Sequence, residues 1–314
     1  MTETHSGPTA EAGPRRPGGR TWAWVAGIVA VALLGSALWA SVRPVDKADA
    51  AAVVVTSPSP SPSPSPSPSA TPSPPKPRPT PAEYSLTDLP RPDIDAILPR
   101  GLPRADVGRF EDLPGSVAEP TQQRIPVWTR PDVTTAPVLA LESEYYEAEA
   151  RWLVLERRPE WVKVLIPYGR GALPSRNPEK VNGAAGWLRA KDVDLEREKR
   201  SVEIDLSERT VTVNHADGTS DELSAAVGAP GTPTPQGLTQ VFTVTQAVNT
   251  GLSVFLSMQS ESLDGFFGTD YAATALHVGV GQGQAVSNGC VRLTSADFER
   301  LTDLEPGVPV LVRA

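Results

Sequence analysis

The chain of 314 residues contains one cysteine, Cys290, and three histidines, one of which, His277, lies thirteen positions before it. A thiol is a strong nucleophile only as thiolate, and an ordinary thiol is a few per cent thiolate at neutral pH. An imidazole within hydrogen-bond reach is the usual acceptor of its proton. Thirteen residues is too long a separation for neighbours on one helix. Gly279, Gly281 and Gly283 lie between, so the chain can double back, and two strands joined by this turn are expected to bring imidazole and sulfur together. Acyl transfer on that pair also needs donors for an oxyanion. The backbone N–H groups of Gly289 and Cys290 are the candidates, because glycine permits close approach. Ser287 is expected to shape the loop, and Asn288 can hydrogen-bond but cannot act as a base. Arg292 has two readings: it binds a substrate carboxylate, or it pins the cysteine loop through an ion pair inside the domain. The rival reading of a lone cysteine is a small buried hydrophobe. His215, in the turn Asn214-His215-Ala216-Asp217-Gly218, is expected at the surface.

The elements around these residues read as strands. Residues 201–213 alternate apolar and polar on both sides of Ser207-Glu208-Arg209, the pattern of two half-buried strands and a tight turn. Strands are also expected over 223–227, 240–246 and 308–312. Between them runs a stiff loop, Gly228 to Gly237, with three prolines. Residues 249–270 carry Gly251, Gly265 and Gly268 with Phe255, Phe266 and Phe267, and read equally as a lid or as core strand plus loop. Thr294 with Asp297 three residues on has the form of a helix N-cap, so a short helix to about residue 303 is expected, with Phe298 and Leu301 inward.

The run Ser287-Asn288-Gly289-Cys290-Val291-Arg292 resembles the signature of the L,D-transpeptidases, the YkuD-type catalytic domain, in which a histidine is followed by a Gly-rich stretch and then by Ser-His-Gly-Cys-Val/Ile-Arg. The stretch from Val227 to Gly237, with Thr232-Pro233-Thr234-Pro235-Gln236-Gly237, is similar to the family's Thr-Pro-Thr-Gly block. Asn288 stands where the family has its second histidine, and Val278-Gly279 where Gly-Thr is usual. The resemblance implies a β-rich catalytic domain over residues 197–314 with one or two short helices. It implies a peptidoglycan L,D-transpeptidase: Cys290 forms a thioester with a tetrapeptide stem, D-Ala leaves, and the amine of a second stem resolves the thioester. L,D-carboxypeptidation is a side activity with water as acceptor. It further implies reactivity towards carbapenems and no cofactor or metal. The alternative is a non-catalytic, membrane-anchored wall-binding protein with a decayed domain, for which Asn288 is the one argument.

Ahead of that domain, residues 121–196 show five or so short apolar clusters separated by turns, which fits a small β-barrel. Their ending, Gly186-Trp187-Leu188-Arg189-Ala190-Lys191-Asp192-Val193, resembles the last strand of bacterial Src-homology-three-like domains. Trp128, Trp152, Trp161 and Trp187 read as core rather than binding surface. Residues 43–120 read as linker and connector, with 12 prolines among residues 57–81. Proline lacks a donor N–H, so that tract is expected to be an extended spacer reaching up to roughly 78 Å at ~3.1 Å per residue. Residues 21–42 hold no charged side chain. As a helix they would run roughly 33 Å, enough to cross a hydrocarbon core. Arg15, Arg16 and Arg20 precede them, so residues 1–20 are expected in the cytoplasm and the rest outside the cell, on a single-pass anchor. A cleaved export signal is the rival reading, and it also exports the remainder. The fold class expected is therefore mainly β behind a transmembrane helix and a Pro-rich linker. A formal net charge of −8 argues against nucleic acid as a partner, and one cysteine excludes an internal disulfide and multi-thiolate zinc sites.

Overall fold

The computed structural model describes residues 80–105, 115–146 and 148–314. The expected cytoplasmic tail, membrane helix and nearly all of the Ser-Pro tract lie outside the described residues. Among the described residues no helix is long and apolar enough to cross a membrane, and no group of three or more His, Cys, Asp or Glu is arranged to hold a metal ion.

Among the described residues nine strands precede residue 200: β1 (Ser116–Pro120), β2 (Arg124–Val127), β3 (Leu139–Glu142), β4 (Glu144–Tyr145), β5 (Ala148–Glu149), β6 (Trp152–Arg158), β7 (Trp161–Leu165), β8 (Ala185–Arg189) and β9 (Val193–Arg197). Five form one sheet in the order β8-β7-β6-β1-β9; β2 pairs with β3 and β4 with β5. β1 lies inside this sheet although it falls ahead of residue 121, in the stretch read as connector. Its registry with the whole of β9 explains the placement, since a partner some 75 residues away leaves no local trace. All four tryptophans of this part are buried. Trp128 and Trp161 meet edge to face, and the guanidinium of Arg158 lies 4.5 Å above Trp187. These rings are packed and capped, so they offer no platform to a polymer.

The second part holds β10 (Ser201–Asp205), β11 (Thr210–Asn214), β12 (Ser220–Ser224), β13 (Val227–Gly228), β14 (Gly237–Ala247), β15 (Gly251–Gln259), β16 (Ala273–Val278), β17 (Ala285–Ser287), β18 (Val291–Leu293), the helical turn α1 (Ser295–Phe298) and β19 (Pro309–Arg313). Eight of these strands form a sheet in the order β12-β11-β10-β19-β14-β15-β16-β18. The 11-residue β14 joins its halves. Gly237–Gln240 pair with β19, while Val241–Ala247 pair with β15 across a register shift at Val241/Thr243. Alternation puts Val202, Ile204, Val211, Val213, Leu276, Val291 and Leu293 into one core, closed by Phe298 and Leu301. The Thr294 hydroxyl accepts the Asp297 N–H at 3.1 Å and starts α1. The helix is one turn and continues as a 3-10 turn over Glu299–Leu301, shorter than the run to about residue 303 that the sequence suggests.

The two parts share a seam. Leu153 and Leu165 pack with Leu238 and Leu311. The Gln240 side chain accepts the Leu153 N–H at 2.5 Å. Arg151 reaches Glu119 at 2.8 Å, Glu198 at 3.2 Å and Glu305 at 3.0 Å.

Candidate active site

β16 and β18 are parallel neighbours with the register Leu276↔Val291, His277↔Arg292 and Val278↔Leu293. Paired residues of adjacent strands share a face. Leu276 and Val291 point into the core, so His277 and Arg292 point the other way, and Cys290, just before β18, falls level with Ala275 on that same face. Cys290 and His277 are thus diagonal neighbours, one strand spacing of ~4.8 Å across and two residues of ~3.3 Å along. Both line one cavity of about 590 Å³. The sequence-based expectation was a simple doubling back. The structure reaches the juxtaposition differently: the chain leaves β16, turns at Gly281 (φ +100) and Gly283 (φ +75), pairs β17 with β13, and re-enters beside β16 in the same direction.

The His277 ring is buried, and its Nδ1 lies 2.9 Å from the Val278 carbonyl oxygen. A carbonyl can only accept, so Nδ1 carries the proton and Nε2 keeps its lone pair as acceptor. Burial pushes the imidazole below the usual histidine value, the Val278 bond opposes this, and the Arg292 charge adds to the lowering. Burial pushes the Cys290 thiol up, against the opposing pull of the Ala275 backbone and Arg292. Both shifts favour the uncharged pair, thiol and neutral imidazole, over thiolate and imidazolium.

The loop that carries Cys290 is built by Ser287. Its hydroxyl donates to the Cys290 carbonyl at 2.5 Å and accepts the Gly289 N–H at 3.1 Å. Of the two expected oxyanion donors, the Gly289 N–H is engaged by Ser287, whereas the Cys290 N–H makes no hydrogen bond to another described residue. The Pro-rich loop braces Cys290 from behind. Thr232 Oγ1 and the Ala229 N–H both donate to the Ser287 carbonyl, at 2.9 and 2.8 Å. Asn288 is exposed at the cavity rim. Arg292 lies across Gly279, where an added Cβ would come within 2.8 Å of its side chain. Among the described residues it has no carboxylate partner, so the ion-pair reading of Arg292 finds no acid here. His215 is half-buried rather than free at the surface: its Nε2 is 3.0 Å from Asp221, which also holds Arg300 at 2.8 Å.

Gly289 sits at φ +114, a conformation that L side chains rarely adopt, and the nearest atom to an added Cβ is 3.6 Å away. Backbone strain rather than a clash therefore sets the cost of a side chain. Gly289→Ala is expected to lose about 1–3 kcal/mol of stability, read as a lower urea midpoint.

The sequence reading missed the residues that wall the cavity from outside the catalytic stretch. Ile94 and Tyr146 line it together with Phe255, Phe266, Phe267 and Tyr271. Phe267 is 78% exposed at φ +48, on the segment that follows β15 and lines the cavity.

No curated protein matches the chain. Solved structures that it resembles include an L,D-transpeptidase from Mycobacterium smegmatis, 16% identical, covering 52% of this chain and 99% of that one at a TM-score of 0.31. Another is L,D-transpeptidase 3 from Mycobacterium tuberculosis with a faropenem-derived adduct, 16% identical, covering 52% and 93% at 0.32. A third is the Enterococcus faecium L,D-transpeptidase C442S mutant, 20% identical, covering 37% and 50% at 0.28. The stretch that bears His277 and Cys290, residues 199–312, matches the family model of the L,D-transpeptidase catalytic domain, YkuD.

Proposed function

We propose that this chain is a cysteine-dependent peptidoglycan L,D-transpeptidase, with residues 197–314 as its catalytic domain. The observation that carries the reading is the placement of His277 on β16 and of Cys290 just before the adjacent parallel β18, both lining one cavity, with Nε2 of His277 left as an acceptor. Cys290 Sγ attacks the carbonyl between the third residue of a tetrapeptide stem and its terminal D-Ala. His277 takes the thiol proton and delivers it to the departing amine, so D-Ala leaves and a thioester remains. The amine of a second stem then adds to the thioester and loses its proton to His277, and the thiol is restored. Water in place of the amine gives L,D-carboxypeptidation. The Cys290 N–H serves the oxyanion, and Arg292, without an acid of its own, receives a carboxylate of the stem. Ser287 and Gly289 hold the loop, and Asn288 faces solvent at its edge.

The Src-homology-three-like reading of residues 121–196 belongs to the same proposal, as do the retained anchor at 21–42 with a cytoplasmic N-terminus, the spacer that follows it, and an extracytoplasmic catalytic domain. The rival, a wall-binding protein without activity, is weakened by the burial of all four tryptophans such a surface would use.

Incubation with a carbapenem followed by intact-mass analysis tests the reading. One covalent adduct per chain is expected, absent in Cys290→Ala, together with release of D-Ala from tetrapeptide stems. An unmodified wild-type protein that releases no D-Ala would sink it.

A further inference from the structure

One wall of the cavity is the segment 260–272, which carries Phe266, Phe267, Thr269 and Tyr271 between β15 and β16. Its own bonds close it at the base, at a turn on Ser260 and at the tip: the Ser260 hydroxyl accepts the Ser262 and Leu263 N–H groups at 3.2 and 3.1 Å, and the Phe266 N–H donates to the Tyr271 carbonyl at 3.0 Å. Ser260 N–H donates to the Ala272 carbonyl at 2.8 Å, and Thr269 Oγ1 donates to the Phe266 and Tyr271 carbonyls at 2.7 and 2.8 Å.

Further bonds come from residues 166–184, the connection between β7 and β8 in the preceding sheet. They grip the wall at three places. At its root, Asn182 Oδ1 accepts the Gln259 N–H at 2.8 Å while Nδ2 donates to the Gln259 carbonyl at 2.9 Å and to Glu261 at 3.0 Å. At its middle, Asp264 accepts the Ser175 N–H at 2.9 Å and the Ser175 hydroxyl at 2.6 Å. At its far end, Arg170 Nη2 donates to the Asp270 carbonyl at 2.5 Å.

Arg170 is 1% exposed, and its Nε and Nη1 have no hydrogen-bond partner among the described residues. Burying a guanidinium with donors unmet is costly, and an apolar side chain of similar volume would be cheaper at a site that served packing alone. The carboxylates of Asp264, Asp270 and Asp95 act on it favourably, and two of these belong to the wall. Its backbone is held in turn by the Ala96 carbonyl and the Leu98 N–H, at 2.9 and 2.8 Å. The wall also bears Phe267 in a left-handed backbone conformation, which surrounding structure must enforce.

We propose that Arg170, Ser175 and Asn182 are positioning residues that set the wall of the substrate cavity, so that the sheet ahead of the catalytic domain is a working part of the site. This role rests on the cavity being the substrate site, as proposed above. The geometric part of it, the grip on residues 260–272, stands independently of any activity.

The test uses the full chain with Arg170→Met, Ser175→Ala and Asn182→Ala, each checked for folding by thermal melt, and Arg170→Lys as the conservative variant. Hydrogen exchange reads the wall directly. Residues 260–272 are expected to lose protection in all three variants while β14 and β16 keep theirs, with Arg170→Lys close to wild type. Two reagents then read the site. Acylation of Cys290 by a carbapenem, which must fit the cavity, is expected to slow by about tenfold or more, mainly through weaker binding. Alkylation by iodoacetamide, which needs only the thiol, is expected to stay within about twofold. Unchanged exchange over 260–272 in folded Ser175→Ala and Asn182→Ala overturns the proposal. So does altered exchange with an unaltered carbapenem rate. A wild-type protein that no carbapenem acylates defeats the transpeptidase reading instead, and leaves exchange to decide the grip.

Discussion

Replacing His277 with glutamine is expected to slow acylation of Cys290 by about 10²–10⁴-fold, the usual contribution of a positioned general base. The shape of the pH profile should change as well. Burial holds the imidazole below its ordinary value of 6.5, so in the wild type the base is competent from below that pH upward. Burial holds the thiol above 9.0, so the thiolate alone contributes little near neutrality. The wild-type rate should therefore be flat from about pH 7 to 8. The variant has lost the base and must wait for thiolate, so its rate should rise about tenfold per pH unit across the same range. Acylation rates measured at several pH values check this, and a variant that keeps the plateau would remove His277 from the mechanism. The same group links stability to pH. Its depressed folded value means that the unfolded chain takes up a proton that the folded chain resists. The stabilisation is present above pH 6.5 and is lost as pH falls through the lower folded value. His277→Gln should therefore lose less stability than wild type between pH 7 and pH 5, as read by urea midpoints.

The side chains able to do this chemistry are visible in the sequence because they are rare: one thiol and three imidazoles. Other strands of the same sheet are visible through period-two alternation, as in Ser201–Asp205 and Thr210–Asn214, and Thr294 announces its helical turn through a local hydrogen bond. What the sequence conceals is set by distance along the chain. Arg170, Ser175 and Asn182 bind partners 77 to 100 residues away, so nothing local marks them. The parallel register of β16 and β18 is hidden for a related reason. Turn glycines signal that the chain reverses, but not that a third strand is inserted before it returns. The capture of the Gly289 N–H by Ser287 is a matter of rotamer and loop geometry, and residue types alone leave that donor apparently free. β1, ending at Pro120, lacks a run long enough to show alternation, and only its pairing with β6 and β9 makes it a strand.

Leu276→Ala is expected to produce the largest loss of stability of any change beside the site, about 2–5 kcal/mol. Leu276 is 1% exposed within the main core and stands opposite Val291. Truncation there leaves a cavity between β16 and β18, the pair that aligns His277 with Arg292. The urea midpoint should fall with the slope unchanged, since the surface exposed on unfolding hardly alters. Val280→Ala, four residues on and 79% exposed, should stay within about 0.5 kcal/mol. The reactive pair occupies the opposite face of the same two strands. Iodoacetamide alkylation of the folded fraction of Leu276→Ala should therefore remain close to wild type while the pH dependence set by His277 persists. Were alkylation to change as steeply as stability, the two faces would be coupled through a shift in register, and the alignment of sulfur and imidazole would depend on core packing as much as on the loop built by Ser287.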